Sequence, residues 1–458
     1  MNLEVIILAA GQGTRMRSSL PKVLHRVADK PLLEHVLITA QQLSPRNIHV
    51  VVGHGTLQVK AELAAYSPNW VEQLEQLGTG HAVLQALPAV QPDSTVLVLY
   101  GDVPLIDLTS LQDLIAAAEN GDPTLLTARV VNPQGYGRVI RDVSGAVLGV
   151  VEHKDANSEE RQIDEVNTGV MAASKRDLAH YLPLVGNQNK QGEYYLPDLL
   201  GLAVSDGRVV GAVRAGSELD VLGVNDRLQL SAVEREYQRR QAHNLLRQGV
   251  SIADPERLDI RGSLVCGDNV SIDINVIFEG EVELGDGVSV GPNCVLCNVT
   301  VGAGAVIHAM SYLEDASVGD HCSVGPFARL RVGTTLAAGS RIGNFVETKK
   351  ASIGVGSKVN HLSYIGDSSL GAGVNIGAGT ITCNYDGVNK YQTTLGDGVF
   401  VGSNSTLVAP LEVGNQGFIA AGSTITKTVA TEQLAVGRGK QRNIKGWSRP
   451  NKINKDKG

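Results

Sequence analysis

The chain has 458 residues, 43% of them hydrophobic, and a formal net charge of −7. That length exceeds one ordinary core, and the negative charge argues against general nucleic-acid binding, although a few well-placed cations suffice for phosphate ligands. Glycine is in surplus, with 52 residues against about 32 at average usage, whereas Phe, Trp and Tyr together make up only 4%.

Met1 to Ala10 has no basic start and a short apolar run that stops at Gly11. It reads as a buried strand rather than a secretory leader. No stretch approaches the roughly 20 apolar residues of a membrane span, so no membrane is expected and the location expected is cytoplasmic. Residues 1–225 alternate strand-like runs (Val5–Ala10, Ile48–Val52, Val96–Tyr100) with helical stretches such as Leu32–Leu43 and His81–Leu87. Such alternation predicts an α/β domain with a largely parallel sheet covered on both faces, with ligands beyond the carboxyl ends of its strands.

The first strand runs into Gly11-Gln12-Gly13-Thr14-Arg15-Met16, with Pro21-Lys22 following. Glycines let a backbone approach an oxyanion, and Arg15 and Lys22 supply positive charge. Neither the third glycine of a dinucleotide fingerprint nor the Gly-Lys-Ser/Thr of a Walker loop is present. A second loop, Leu77-Gly78-Thr79-Gly80-His81, opens a helix; such a loop is as often structural as ligand-binding, and His81 reads as a first-turn residue. The third strand delivers Asp102, an oxygen where a phosphate-bound Mg²⁺ would need one; loop capping is the commoner role for a lone strand-end Asp.

Residues 226–249 form a charged segment free of internal Gly and Pro, with Leu230, Val233, Tyr237 and Leu245 on helical spacing, Asp226 placed to cap and Gly249 to stop. A connecting helix is expected. From residue 250 to 458 the pattern changes. Aliphatics recur at Leu395, Val401, Leu407, Val413, Ile419 and Ile425, and earlier at Val318, Val324, Leu330, Leu336 and Ile342. This period of six predicts a parallel β-helix of hexapeptide repeats, with small residues at its corners. The stretch Thr382–Lys390 breaks the period and reads as a projecting loop. All five cysteines lie in this half; the lone CxxC, Cys294 to Cys297, reads as small apolar side chains in a reducing compartment.

Leu8-Ala9-Ala10-Gly11, Gly13-Thr14-Arg15-Met16, Pro21-Lys22, Gln76 to Gly80, Gly135 to Arg138, Glu152, Asn167-Thr168-Gly169 and Gly223-Val224-Asn225 resemble, in order, the sugar-nucleotide pyrophosphorylases. With the hexad half, the whole chain is similar to bacterial bifunctional enzymes that acetylate glucosamine-1-phosphate and then uridylylate N-acetylglucosamine-1-phosphate. The resemblance implies a Rossmann-like nucleotidyltransferase domain, a linker helix and a left-handed β-helix. It implies that Gly11, Gly13, Lys22, Gln73, Gly78 and Thr79 meet UTP, that Tyr100, Gly137, Glu152 and Asn167 hold the acetylated sugar, and that Asp102 and Asn225 carry Mg²⁺. Arg15 and Lys22 would neutralise charge during transfer.

For the second half the resemblance makes His361, in Asn360-His361-Leu362-Ser363-Tyr364, the base that deprotonates the sugar amine. An imidazole suits that task, and Glu347 is a carboxylate able to orient it. Arg331, Lys349, Tyr364 and Asn375 are implied to hold glucosamine-1-phosphate, and Ala378, Asn384, Tyr385, Ser403, Ala421 and Arg438 to line the acetyl-coenzyme A groove. A homotrimer is implied as well. Val332 departs from a proline often found there. The basic tail (Arg442, Lys445, Arg449, Lys452, Lys455, Lys457) fits either coenzyme phosphate contact or solvation equally. A rival reading is a pyrophosphorylase whose hexad half is only a scaffold.

Overall fold

The computed structural model describes residues 2–450; Lys452, Lys455 and Lys457 of the basic tail lie outside the described residues. The chain folds as two compact units, Met1–Gln241 and Ala242–Gly458.

In the first unit a nine-stranded sheet has the order Gly211–Arg214, Thr124–Arg129, Glu165–Ser174, Thr95–Tyr100, Leu3–Ala9, Asn47–Val52, Asn69–Glu72. The strand Leu3–Ala9 is central and buried throughout. Its residues alternate between two cores: Val5 and Ile7 pack on one face, Ile6 and Leu8 on the other. Both faces being covered, the strand reads as one continuous apolar run, as central strands do. Its neighbours Thr95–Tyr100 and Asn47–Val52 are parallel to it, so all three carboxyl ends open on one edge.

The expectation of a largely parallel sheet needs one correction. Glu165–Ser174 runs antiparallel to both its sheet neighbours and also carries the antiparallel hairpin Gly137–Arg141/Val147–Val151. Antiparallel pairing brings Asn167 opposite Gly137, which matters for the site.

Helix Arg227–Arg247 spans the division between the units. Asp226 caps it through Gln229 N (2.9 Å), and Gly249 follows it with φ +96°. Val233 packs in the first unit with Met16, Leu32 and Leu105, whereas Ala242 and Leu245 join the core of the second.

The second unit is a parallel β-helix. Outside the coil that carries the inserted loop and the last coil, its ladders pair residues 17 or 18 apart, as in Ile277↔Val295 and Ile307↔Val324. Each inward position therefore stacks on its equivalent in the next coil, giving columns such as Phe278, Leu296, Leu313, Leu330 and Leu284, Val301, Val318, Leu336, Ile353. All the aliphatics of the predicted hexads are buried in this core. At Ser368↔Thr393 the offset is 25, so one coil holds an excess of seven residues over the usual 18. The excess lies within the exposed loop from Tyr385 to Gln392, closed by a bridge between Tyr385 and Lys390.

Two corner demands account for the glycine surplus. One is conformational. Gly339, Gly356, Gly373 and Gly398 have positive φ, as do His321, Gln416 and Glu432 at the matching corners of other coils. The other is space. A Cβ on Gly354 would lie 2.2 Å from Gly371 O, and one on Gly343 would lie 2.0 Å from Asn360 O. Packing coil backbones this closely leaves no volume for a methyl group.

These demands separate by mutation. Gly354→Ala is expected to destabilise the β-helix by about 1–3 kcal/mol through overpacking. Gly339→Asn, at an open left-handed corner that Asn tolerates, is expected to be near neutral. Thermal unfolding of the two variants checks this, and equal losses would refute the division.

Candidate functional site

The carboxyl ends of the parallel strands border a cleft of about 610 Å³. It is lined by Gly11, Gln12, Gly13, Lys22, Gln73, Gln76, Gly78, Thr79, Tyr100, Asp102, Glu193 and Asn225, among others. The glycines are required by shape. Gly13 has φ +63° and a Cβ there would meet Lys22 Cβ at 2.6 Å; Gly78 has φ +116° and a Cβ there would meet Tyr194 O at 2.6 Å.

Lys22 supplies the charge at the centre. Its ammonium contacts the Asp102 carboxylate and lies 3.2 Å from Asn225 Oδ1. The side chains of Lys22 and Asp102 are only 13% and 16% exposed, so little water screens the pair. The segment carrying Asn225 is tied to the same strand tip, because Val224 N donates to Asp102 O at 2.9 Å. Asp102, Lys22 and Asn225, 203 positions apart at the extremes, thus converge.

On the other wall, buried Gln73 donates from Nε2 to Gly78 O (3.1 Å) and lies 3.0 Å from His81 Nδ1. Leu196 N donates to Thr79 Oγ1 at 2.9 Å, holding that hydroxyl. His81 is therefore a support for Gln73, a role that sequence position alone did not signal. Gln76 and Glu193 also line the cleft.

Tyr100 joins the cleft to the hairpin. Its ring packs against Gly169, where a Cβ would come within 2.6 Å. Gly137 sits over the Glu152 carboxylate, so close that a Cβ would be 3.0 Å from Oε1, and stands opposite Asn167. Burial pushes the Glu152 carboxyl above its usual range, aided by the charges of Asp198, Asp155 and Glu193. Burial, then Glu152, pushes the Tyr100 phenol up likewise. Arg15 stands apart, exposed on the short turn Thr14–Met16 and absent from the cleft lining.

On the β-helix, ladder pairing aligns Ile342, Val359, Ile376, Val401 and Ile419. Two residues beyond each, Asn344, His361, Ala378, Ser403 and Ala421 therefore occupy one corner position on successive coils. Parallel strands are about 4.8 Å apart, so His361 and Ala421, three coils apart, are separated by on the order of 14 Å. Arg438 ends the line, donating to Ala421 O at 2.7 Å. His361 is exposed, and its Nδ1 lies 3.0 Å from Asn344 Oδ1.

Glu347 does not orient this ring. It is paired to Arg331 at 2.7 Å and faces Tyr364 in register. Lys349 lies in register with Gly366 on that side, and Asn375 stands beside Lys358. Asn384 donates to the Asp367 carboxylate, which anchors the inserted loop, and Tyr385 on that loop is 58% exposed. All five cysteines are free; Cys294 and Cys322 donate to carbonyls of the next coil at 3.1 Å. Arg442, Lys445 and Arg449 are exposed. Among the described residues no helix is long and apolar enough to cross a membrane.

Asp198 offers a test of the electrostatics near Glu152. Burial and Asp155 push its pKa to about 6, above the ordinary 3.8. A raised folded-state pKa means the ionised group opposes folding above about pH 6, and that cost fades as pH falls toward 4. Asp198→Asn should therefore raise Tm at pH 8 and change it little near pH 4, as followed by calorimetry across pH. A Tm gain that grows on acidification would refute the assignment.

Comparison with known proteins places both halves. Residues 5–164 match the model of MobA-like NTP transferase domains, and residues 264–298 match that of bacterial transferase hexapeptide repeats. The chain is 57% identical over 450 residues to "Bifunctional protein GlmU" of Marinobacter nauticus, covering 98% of this chain and 99% of the relative. It is 54% identical over 455 residues to the protein of that name from Pseudomonas putida (strain GB-1), covering 99% and 100%. With that of Pseudoalteromonas atlantica it shares 50% over 452 residues, covering 99% and 100%.

Proposed function

The chain belongs to the family of bifunctional GlmU proteins, and from that premise we propose the division of labour between its two sites. It is a bifunctional transferase of UDP-N-acetylglucosamine synthesis. The observation that carries the assignment of the first site is the convergence of Lys22, Asp102 and Asn225 under the Gly11–Gly13 turn.

At the first site a phosphate oxygen of N-acetylglucosamine-1-phosphate attacks the α-phosphorus of UTP. A P–O bond forms, the bond to the β-phosphate bridge breaks, and pyrophosphate leaves. The nucleophile is already an anion, so the site needs positioning and neutralisation more than a base. Gly11 and Gly13 admit the phosphates, and Lys22 gathers their charge. Gln73, Gly78 and Thr79 receive the uridine. Tyr100, Gly137, Glu152 and Asn167 surround the acetylated sugar. Arg15 completes the neutralisation only by turning inward from its exposed position.

Mg²⁺ fits the residues present. The Lys22 ammonium already lies between Asp102 and Asn225 Oδ1, so two oxygens converge on a cation. A magnesium ion, which commonly takes one or two protein oxygens beside substrate phosphates, would be held by Asp102 and Asn225. When bound it supplies charge neutralisation to the phosphates.

At the second site the amine of glucosamine-1-phosphate attacks the thioester carbonyl of acetyl-coenzyme A. The C–N bond forms, the C–S bond breaks, the amine proton goes to His361, and the thiolate leaves. Arg331, Lys349, Tyr364 and Asn375, on coils next to His361, suit a sugar phosphate. The corner line Ala378, Ser403, Ala421 and Arg438, with Asn384 and Tyr385 beside the inserted loop, suits an extended acyl donor. Met310, Phe327, Phe345 and Leu362 make an exposed apolar ridge at the same corner, Phe345 and Leu362 directly following Asn344 and His361. That ridge supports a homotrimer in which copies meet near the acetyl site. The location proposed is cytoplasmic.

Incubation with glucosamine-1-phosphate, acetyl-coenzyme A, UTP and Mg²⁺, with products resolved by mass, tests the whole reading. Asp102→Ala is expected to abolish uridylyl transfer and spare acetyl transfer. His361→Ala should do the reverse, losing about 10²–10⁴-fold in acetylation. Chelation of the metal should stop only the uridylyl step. A wild-type chain that made no acetylated sugar would favour the scaffold role for the β-helix.

A further inference from the structure

We infer that Asn344 is a positioning residue for acetyl transfer, its amide oxygen holding the His361 ring in the tautomer that leaves Nε2 free to accept a proton. The inference rests on the reading of His361 as base given above.

The geometry comes from the coil stacking. Asn344 and His361 are direct ladder partners at one corner, and Asn344 Oδ1 lies 3.0 Å from His361 Nδ1. Two features pin the corner. Leu362 N donates to Asn344 O at 3.1 Å, and Gly343 lets the coils close until a Cβ there would sit 2.0 Å from Asn360 O. An amide oxygen can only accept, so Nδ1 must carry the proton and Nε2 keeps its lone pair. A neutral imidazole in water prefers the opposite tautomer, with the proton on Nε2 and the lone pair turned toward the backbone. The hydrogen bond at one ring nitrogen decides the state of the other.

No carboxylate competes for this task. Glu347 is closed on Arg331. Lys358 on the same strand, Arg341 on the preceding coil, and Glu347 and Lys349 past the corner make no hydrogen bond or ion pair to the ring among the described residues. On the following coil the corner neighbour is Ala378. A neutral amide thus fixes the tautomer without adding the negative charge that would favour imidazolium.

The test is ¹⁵N spectroscopy of the full chain labelled at histidine rings, with His361 assigned by its disappearance in His361→Ala. The wild-type ring should be protonated at Nδ1, and Asn344→Ala should shift it to Nε2–H. Kinetically, Asn344→Ala should lower kcat for acetyl transfer by about 10-fold or more with little change in either KM, and an unchanged thermal unfolding transition of the β-helix reports that its unit is folded. Asn344→Asp retains an acceptor, so it should keep the Nδ1–H tautomer and recover much of kcat. Its added charge should move the acid limb of the pH profile to higher pH. A wild-type ring protonated at Nε2, or an Asn344→Ala variant with unchanged spectrum and pH profile, overturns the inference. The spectrum needs no turnover, so a wrong tautomer is distinguished from a chain that transfers no acetyl group, which overturns the catalytic reading itself.

Discussion

Coil-on-coil hydrogen bonding governs the second half of this protein. Once residues 17 or 18 apart are paired, every side chain has a fixed neighbour in the coil on each side. Interior positions are then filled mainly by aliphatic or small hydroxyl side chains, and corners must tolerate left-handed backbone or the absence of a Cβ. The same rule builds the proposed acetyl site, because a corner position repeated over coils becomes a straight line of residues. Asn344, His361, Ala378, Ser403 and Ala421 form such a line, with a polar pair at one end and small residues along the rest. A row of small side chains leaves room against the backbone, which is what the proposed long, thin acyl donor would need.

The first unit obeys a different constraint. Its central strands are buried on both faces, so their side chains go to cohesion, and function is displaced to their carboxyl tips. There Lys22 and Asp102 neutralise each other in a place with little water. Such a pair contributes less to stability than its charge suggests, since desolvation offsets much of the attraction. On the proposed reading its value is as a cation and an anion, free to turn to a phosphate and a metal. The raised carboxyl of Glu152 marks the neighbouring compartment as short of water too.

Much of this was legible in the sequence, for specific reasons. The hexads can be read because each inward position is one letter of a short repeat, and the loop after Cys383 can be read because it breaks that repeat. The glycine turns and Asp102 can be read because strand-end chemistry is local. Strand direction is not local: nothing in Glu165–Ser174 announces an antiparallel course, which emerges only from pairing with Thr95–Tyr100 and Thr124–Arg129. Glu347 drew attention as the carboxylate near His361, whereas the register places Asn344 there and gives Glu347 to Arg331. Counting one coil back from His361 would have found Asn344. Arg15 matches the family motif, yet its side chain stands outside the cleft, since a motif fixes residue order and not rotamer.

The two sites also differ in the one group their reactions demand. On the proposed reading a sugar phosphate is an anion before it arrives, so the first site asks for a cation such as Lys22 more than for a base. An amine must lose a proton as it attacks, so the second site needs a lone pair aimed outward from a rigid edge. Along the corner line Asn344, His361, Ala378, Ser403 and Ala421, His361 is the residue proposed to supply it, and it can do so only in one of its two neutral tautomers. A corner that fixes the backbone leaves the ring's proton undetermined, and that choice falls to the residue one coil below.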